Sequence, residues 1–284
     1  MDTDARTLFP RGMDQPEGGY RFSLDPLLLA CFARVKRGVR LVDLGTGCGV
    51  AALAALLRHE AAGASGPSTR ASGAPGASDA PVPSDTPGVS GTSGVSGPPG
   101  ASALGLDIDP AMVEAARNNA ARLGLDGVFQ AQCGDVRDVR ELFKPESFGL
   151  TLLNPPYRSL DTGRACDTAE RTKARFEAQG SLEDFLDGAA WLTANRGAVA
   201  LVYPAEGLAR LLCGLEARRL TPKRLRLVHS RIDEPARLVL AEAVKNGGAG
   251  LVAEAPLALY NGQGAATRLR AAALKFCPFL ACNG

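Results

Sequence analysis

The sequence predicts an α/β fold with a mostly parallel sheet, and three observations lead to that prediction. Short apolar stretches alternate along the chain with segments of helical period. A glycine-rich turn, Gly45-Thr46-Gly47-Cys48-Gly49, separates the first predicted strand from its helix. Acidic or amide side chains follow several strands, where open α/β sheets bind their ligands. We expect seven strands, with an antiparallel pair at one edge of the sheet.

Composition favours one α/β domain over residues 1–284. With 284 residues, of which 45% are hydrophobic, the chain can bury a sizeable core, and its formal net charge of +2 permits nucleic-acid binding without requiring it. No apolar run is long enough to span a bilayer, and the amino terminus lacks the apolar core of a secretory signal, so we expect a cytoplasmic protein. Seven cysteines without Cys-x-x-Cys spacing, and only two histidines, indicate reduced and mostly buried thiols and no metal site.

The first predicted strand leads directly into the glycine-rich turn. Asp43 lies at its end, and Gly45 and Gly47 let the backbone pass close to a ligand before a helix from Ala51 to His59. The amides at a helix start favour a ligand with polar or anionic groups. Taken alone, this turn would suit a nicotinamide cofactor equally well.

Residues 61–102 are rich in Gly, Ser, Ala, Pro and Thr and have few apolar side chains that could offset the entropy of ordering. We therefore predict a low-complexity, disordered insertion inside a β-α-β unit. A long surface loop adds little closure free energy, so the unit can form around it.

Two more carboxylates follow the next predicted strands. Asp107 ends the second strand, where an acid can accept both hydroxyls of a ribose, whereas Asp109 better fits a cap of the helix that follows. The third strand, from Val128 to Cys133, precedes Asp135, which can accept the amino group of an adenine. All these groups are expected at one edge of the sheet.

The fourth predicted strand, Phe148 to Leu153, ends in Asn154-Pro155-Pro156-Tyr157. Neither proline can donate a backbone hydrogen bond, and Pro155 keeps Asn154 out of the helical region, so the strand must stop. The Asn154 side chain and the Pro155 carbonyl can accept hydrogen bonds, and Tyr157 offers a flat face for stacking. This set suits a planar amide or an amino-substituted base. By itself, the tetrapeptide leaves open that it is only a rigid loop.

Before the first strand, a glycine-punctuated loop leads into a predicted helix from Leu27 to Val35. Ser23 or Asp25 can cap that helix. The alternative is that Phe22 and Asp25 lie over a cofactor at the mouth of the sheet.

The order of these motifs, from the glycine turn through Gly105-Leu106-Asp107 and Gly134-Asp135 to Asn154-Pro155-Pro156-Tyr157, resembles the class I S-adenosylmethionine-dependent methyltransferases. The last tetrapeptide is similar to that of enzymes that methylate a planar nitrogen. The stretch from Gly19 to Asp25 and the sequence Val228-His229-Ser230-Arg231 look like the bacterial tRNA adenine-N6 methyltransferase family, which modifies an adenine beside the anticodon of a valine tRNA.

The resemblance implies a Rossmann-like fold, S-adenosyl-L-methionine as cofactor, a tRNA substrate and no metal. It implies that the catalytic residues are Asn154, Pro155, Pro156 and Tyr157. It also implies that Gly45 and Gly47 are the cofactor's backbone neighbours, that Asp107 contacts the ribose and that Asp135 contacts the adenine. From their positions in the sequence, we expect Phe22, Asp25 and Asp43 to be further cofactor-binding residues.

Two alternative functions stay open at this point. One is N5-methylation of a glutamine in a protein of the release-factor type, although such enzymes usually carry a separate amino-terminal helical domain, for which the residues before Arg40 leave little room. The other is a non-catalytic RNA-binding module of the same fold.

The carboxyl-terminal half continues the alternation of strands and helices. Its predicted elements are helix Leu182 to Leu192, strand Ala198 to Val202, helix Ala205 to Ala217, and strands Arg224 to His229 and Leu238 to Val244. Residues 158–180 suggest a mobile substrate flap, and residues 271–284 either a further strand or a loose end. A basic stretch of eight side chains is a candidate phosphate contact or a solvated face, and consists of Arg218, Arg219, Lys223, Arg224, Arg226, His229, Arg231 and Arg237.

Overall fold

A computed structural model describes residues 5–16, 22–64, 100–156 and 180–283 of the chain. Its strands are β1 (Arg40–Leu44), β2 (Ser102–Asp107), β3 (Phe129–Cys133), β4 (Phe148–Leu153), β5 (Thr193–Pro204), β6 (Leu220–His229), β7 (Ala236–Lys245), β8 (Val252–Ala253), β9 (Leu257–Ala258), β10 (Tyr260–Asn261) and β11 (Arg268–Leu269). Nine of them form one sheet in the order β3-β2-β1-β4-β5-β7-β6-β8, with β9 also paired to β6, whereas β10 and β11 pair separately.

Helices cover both faces of this sheet. They are α1 (Ala5–Leu8), α2 (Asp25–Phe32), α3 (Val50–Ala64), α4 (Pro110–Arg122), α5 (Val139–Leu142), α6 (Leu182–Leu192), α7 (Leu208–Glu216) and α8 (Ala271–Phe276). Short 3-10 turns occur at Val136–Asp138, Ala205–Gly207, Gly264–Ala266 and Pro278–Asn283. No helix in the described ranges is both long and apolar enough to cross a membrane.

The predicted mostly parallel sheet is confirmed. The five neighbouring strands β3, β2, β1, β4 and β5 all pair in parallel, whereas β7 is antiparallel to both β5 and β6. The carboxyl ends of β1, β2 and β4 therefore meet at one edge. The strand order reverses direction between β1 and β4, which is where open α/β sheets bind their ligands.

The prediction of seven strands was incomplete. β8 and β9 add two residues each beside β6, and segments this short have no apolar periodicity that a sequence could reveal. β5 also begins at Thr193, earlier than predicted, because the chain passes straight from α6 into an exposed, irregular start of the strand.

The predicted insertion was too wide at both ends. The alanine-rich residues after His59 continue α3 to Ala64, since alanine is the best helix former, and β2 already begins at Ser102. Residues 65–99 of the insertion lie outside the described part of the chain, so its disorder stays a prediction.

The core consists of two apolar layers, one on each face of the sheet. α2, α3 and α4 contribute to one layer, and α6 and α7 contribute to the other. All eight residues of α2 are buried, as expected of a short helix that is apolar on every side. α2 ends at Phe32, before the predicted end at Val35, because the backbone becomes extended at Ala33.

The carboxyl-terminal segment packs into the core instead of forming a further strand or a loose end. Cys277 and Leu280 are fully buried, and the Cys277 thiol lies 3.6 Å from the carbonyl oxygen of Leu27. The cysteines of the described ranges are free thiols, but only Cys31, Cys48 and Cys277 are buried. The expectation of mostly buried thiols is therefore wrong for the other half of these described cysteines.

Candidate active site

A cavity opens at the carboxyl edge of the sheet, between the end of β2 and the end of β4. Its lining includes eight of the predicted site residues, namely Phe22, Asp43, Gly45, Gly47, Asp107, Asn154, Pro155 and Pro156. The glycine-rich turn, the acid after β2 and the tetrapeptide after β4 therefore share one space. Tyr157 and residues 158–179 of the predicted flap lie outside the described residues.

The glycine-rich turn depends on glycine at two positions for different reasons. Gly45 and Gly47 both have positive φ angles, +69° and +54°, which side chains with a Cβ adopt only under strain. A Cβ on Gly45 would lie 2.9 Å from the Phe185 ring, whereas a Cβ on Gly47 would meet no heavy atom within 4 Å. Gly47 therefore faces open space, as a backbone that approaches a ligand should.

Asp107 is oriented by two backbone amides. One carboxylate oxygen accepts a hydrogen bond of 2.7 Å from the Gly47 amide, and the other accepts one of 3.0 Å from the Asp109 amide. Burial raises the pKa of this carboxyl, against the lowering effect of these hydrogen bonds. Since each carboxylate oxygen has a second lone pair, Asp107 can still accept hydrogen bonds from a ligand in the cavity.

Asp43 lies deeper in the same cavity and is 1% exposed. It accepts a hydrogen bond of 2.8 Å from the Thr46 hydroxyl. Burial, with a smaller contribution from the nearby charge of Asp107, raises the pKa of Asp43 to about 7. Asp43 therefore changes its charge near neutral pH.

This titration predicts a pH-dependent stability. A carboxyl whose pKa is about 7 when folded and 3.8 when unfolded keeps its proton longer in the folded state, so the free energy of unfolding should fall as the pH rises from about 4 to about 7. Replacing Asp43 with asparagine should flatten that fall. Urea unfolding across this pH range tests the prediction, and an equal slope in wild type and variant would contradict it.

Asp135 lies beside the cavity but does not line it, whereas its neighbours Gly134 and Val136 do. Its carboxylate accepts hydrogen bonds from the backbone amide of Arg137 at 2.8 Å and from the Arg137 guanidinium. This arginine holds the pKa of Asp135 below its usual range. The contact of Asp135 with an adenine stays a prediction. For this contact, the Asp135 carboxylate would have to accept a hydrogen bond from the adenine while it remains paired with Arg137.

The two predicted residues before α2 have different environments. Phe22 lines the cavity, as one of the two alternatives for this segment requires. Asp25 is buried at the first turn of α2, and its backbone amide donates a hydrogen bond of 3.2 Å to the Ser23 hydroxyl. The N-cap residue is Leu24, which has no side-chain cap hydrogen bond, so the predicted capping by Ser23 or Asp25 is wrong. Pro26 lines the cavity where Asp25 was expected.

Asn154 leaves the sheet next to the glycine-rich turn. β1 and β4 pair up to Leu44 and Leu153, so Gly45 and Asn154 follow side by side. Asn154 is half-buried in the cavity wall, and its side chain makes no hydrogen bond to any residue in the described ranges. Its amide is therefore available to a ligand, while the buried Pro155 fixes the direction of the loop.

Sequence reasoning missed several apolar residues of the cavity. Phe185 of α6 packs against Gly45, and Ile108, which is 38% exposed, follows Asp107 at the rim. Phe185 belongs to an amphipathic helix and was indistinguishable from a core residue. Ile108 could have been predicted from the sequence, because it directly follows Asp107, a predicted ligand-binding acid.

Asn119 is a second residue whose role the sequence did not reveal. It is 1% exposed and accepts a hydrogen bond of 2.6 Å from the Asp14 amide. Its side-chain NH2 donates to the carbonyls of Asp14 and Cys48, both at 3.0 Å. Asn119 therefore ties the amino-terminal loop to the glycine-rich turn and stabilises the cavity wall from behind.

The basic stretch is largely used within the fold. Arg224 and Arg226 both form ion pairs with Glu254, at 2.9 and 2.7 Å, and Arg224 forms another with Glu242 at 2.8 Å. The Arg224 guanidinium also stacks on the Phe32 ring. The charges of these two arginines are neutralised by carboxylates within the fold, which argues against the interpretation of them as phosphate contacts.

The other six members of that stretch divide into two groups. Arg218 pairs with Asp187, Arg231 pairs with Glu234, the Lys223 ammonium donates to backbone carbonyls, and the His229 ring nitrogen lies 2.7 Å from the Glu234 carbonyl oxygen. Arg219 and Arg237 remain exposed. In the parts of the chain that the structure describes, no group of three or more His, Cys, Asp or Glu side chains could hold a metal ion.

Comparisons with known proteins agree with this geometry. A family model described as "RMKL-like, methyltransferase domain" matches residues 89–182. The chain is 30% identical over 144 residues to the tRNA1(Val) (adenine(37)-N6)-methyltransferase of Porphyromonas gingivalis, a match that covers 50% of this chain and 56% of that protein. The chain thus spans about half the length of the curated relatives it matches.

Two solved structures have a fold similar to that of this chain. A predicted O-methyltransferase from Agrobacterium tumefaciens has a TM-score of 0.61 at 19% identity, covering 90% of this chain and 96% of its own. A putative RNA methyltransferase from Pyrococcus horikoshii has a TM-score of 0.50 at 16% identity, covering 85% and 96%. The chain therefore has the class I methyltransferase fold, the Rossmann-like fold that the sequence predicts.

Proposed function

We propose that this protein methylates N6 of an adenine in tRNA, in the anticodon loop of a valine tRNA, with S-adenosyl-L-methionine as the methyl donor. The observation that carries the proposal is that Asn154 and Pro155 lie in the same cavity as Asp107 and the glycine-rich turn. The name of the Porphyromonas gingivalis relative supports the choice of substrate. A tRNA substrate also fits the cytoplasmic location expected from the sequence.

The residues of the cavity fit the cofactor. Asp107 offers two oriented oxygens for ribose hydroxyls, and the open approach at Gly47 leaves room for the ligand beside the turn. Ile108 and Val136 provide apolar contacts for a planar base at the rim. When bound, S-adenosyl-L-methionine supplies an electrophilic methyl group.

The chemistry of the substrate nitrogen explains why an amide and a carbonyl are needed. An exocyclic adenine amine is a poor nucleophile, because its lone pair is delocalised into the ring. The Asn154 side-chain oxygen and the Pro155 carbonyl can accept both amine hydrogens and thereby fix the direction of the nitrogen. The same two oxygens stabilise the positive charge that develops on the nitrogen as it is methylated.

Tyr157 is proposed to stack on the target adenine once the base is turned out of its loop. Unpaired bases of an anticodon loop need less energy to be turned out than bases in a duplex. This role is an expectation from the tetrapeptide, since Tyr157 lies outside the described residues.

Asp107→Ala should weaken cofactor binding by about tenfold to a hundredfold, because hydrogen bonds to charged groups contribute roughly 1.5–3 kcal/mol. The variant also removes the acceptor that orients the Gly47 amide. Isothermal titration with S-adenosyl-L-methionine measures the effect. Asp126→Ala, at an exposed position outside the cavity, is the control and should bind normally.

The proposed function is tested by transfer of labelled methyl from S-adenosyl-L-methionine to unmodified tRNA and, separately, to purified release factors. N6-methyladenosine in the tRNA nucleosides would support the proposal. Label in a protein glutamine would overturn it in favour of the second candidate, because a glutamine amide is planar and fits the same two acceptors. Cofactor binding without transfer to either substrate would favour a non-catalytic module.

A further inference from the structure

We infer that the turn at residues 230–235, between β6 and β7, contacts the RNA substrate beside the target adenine. Ile232 would pack against an unpaired base, and Arg237, at the start of β7, would contact a phosphate. This inference rests on the proposed function and extends it from the target base to a neighbouring nucleotide.

The strand pairing places this turn at the edge that carries the cavity. β7 is antiparallel to β5 with Leu238 opposite Pro204, and β6 ends with His229 opposite Ala236. The turn therefore projects from the edge at which β4 delivers Asn154. Because β7 is two strands away from β4, the turn lies roughly 10–15 Å from the target base.

The turn is held in one conformation by its neighbours. The Arg231 guanidinium donates to the Gly262 carbonyl at 2.6 Å and to the Thr267 hydroxyl at 3.2 Å, and forms an ion pair with Glu234 at 2.9 Å. The His229 ring nitrogen lies 2.7 Å from the Glu234 carbonyl oxygen. A turn fixed in this way loses little conformational entropy when it binds a partner.

Ile232 at the tip of this turn is 55% exposed. Single exposed apolar side chains are common, but this one lies on a fixed turn at the ligand-binding edge. The adjacent Asp233 is exposed and acidic, which disfavours a phosphate at the tip and favours a base there.

Arg237 is the cation suited to the phosphate. It is exposed, unlike Arg224 and Arg226, whose guanidinium groups are neutralised within the fold. Its position opposite the end of β5 places it between the turn and the tetrapeptide after β4. A protein partner would also match an exposed isoleucine, but an exposed cation at the same edge of the sheet as the proposed base acceptors favours RNA.

The test measures RNA affinity directly, by fluorescence anisotropy with a labelled RNA hairpin whose loop contains unpaired adenines. No cofactor is added, so that methyl transfer does not enter the measurement. Ile232→Ala should weaken binding about tenfold, as expected for loss of one packed aliphatic side chain, whereas Ile232→Leu should bind like wild type. Leu251→Ala is the matched control, since Leu251 is 45% exposed near β8, away from this edge.

Two further measurements identify the contacts. Replacing loop nucleotides one at a time by abasic positions should weaken wild-type binding at a position beside the target adenine, and Ile232→Ala should remove that sensitivity. Arg237→Gln should lower the slope of log affinity against log salt concentration by about 0.7, as expected for one lost phosphate contact on a single strand.

The outcomes separate this inference from the proposed function. Wild-type binding that is unchanged by Ile232→Ala, or weakened equally by Leu251→Ala, would overturn the inference and leave the proposed function intact. Failure of the wild-type protein to bind any RNA would overturn both. Binding of a release factor that depends on Ile232 would show that the turn recognises a protein instead.

Discussion

Asn154→Ala is expected to lower kcat for methyl transfer by about a hundredfold to a thousandfold while leaving cofactor affinity close to wild type. This magnitude is typical for loss of one group that stabilises charge developing in a transition state. Asn154 lines the cavity next to Gly45, whereas the groups proposed to hold the cofactor follow β1 and β2. Single-turnover transfer to tRNA, together with titration of the cofactor, separates the two effects.

The choice of controls makes the Asn154 result specific. Asn154→Asp keeps a side-chain acceptor and should retain more activity than the alanine variant. Asn195→Ala removes an exposed asparagine at the opposite end of β5, so transfer should be unchanged. Turnover near the wild-type rate in Asn154→Ala would contradict the catalytic assignment.

Arg224→Ala is expected to lower the free energy of unfolding by roughly 3–5 kcal/mol, because it leaves the buried carboxylate of Glu242 without a counter-charge, whereas Glu254 keeps its ion pair with Arg226. Glu242 is 7% exposed and loses its ion pair, and the Phe32 carbonyl loses a hydrogen bond of 2.8 Å from the same guanidinium. The variant also loses the stacking contact with the Phe32 ring. Urea unfolding measures the change.

Further variants can distinguish a structural role of Arg224 from a role as a phosphate contact. The double variant Arg224→Met with Glu242→Leu should recover much of the lost stability, since it removes both charges. Arg219→Gln, at an exposed member of the same basic stretch, should leave stability unchanged. A variant at Arg224 that keeps full stability but loses RNA affinity would restore the phosphate interpretation.

The fold was most predictable where apolar pattern and turn chemistry agree. β4 and α6 have the predicted boundaries. The apolar run of β4 stops shortly before two prolines, and α6 begins directly after its capping serine, Ser181. Boundaries failed where tertiary context decides them. β5 starts at Thr193 although no apolar residue pattern marks that start, and α3 continues to Ala64 into a segment of low complexity.

For the candidate site, the sequence was sufficient to predict the glycine-rich turn and the polar residues after the strands, but not the other residues that form the cavity. Asp43, Asp107 and Asn154 could be found because polar residues after apolar strands are distinctive. Phe185 and Asn119 could not, since each sits in a helix and reaches the site only through packing. Charge alone was also misleading, because a sequence does not show which arginines will meet buried carboxylates.

The place of the low-complexity insertion has a consequence for the evolution and engineering of this enzyme fold. The segment leaves α3 at Ala64 and returns at Ser102, whose amide hydrogen-bonds the Val39 carbonyl just before β1. That is the amino edge of the sheet, opposite the cavity. We therefore expect changes of length there to leave the glycine-rich turn and the tetrapeptide unaltered, so that selection on catalysis would not act against them. The same position would accept a reporter domain or an affinity tag.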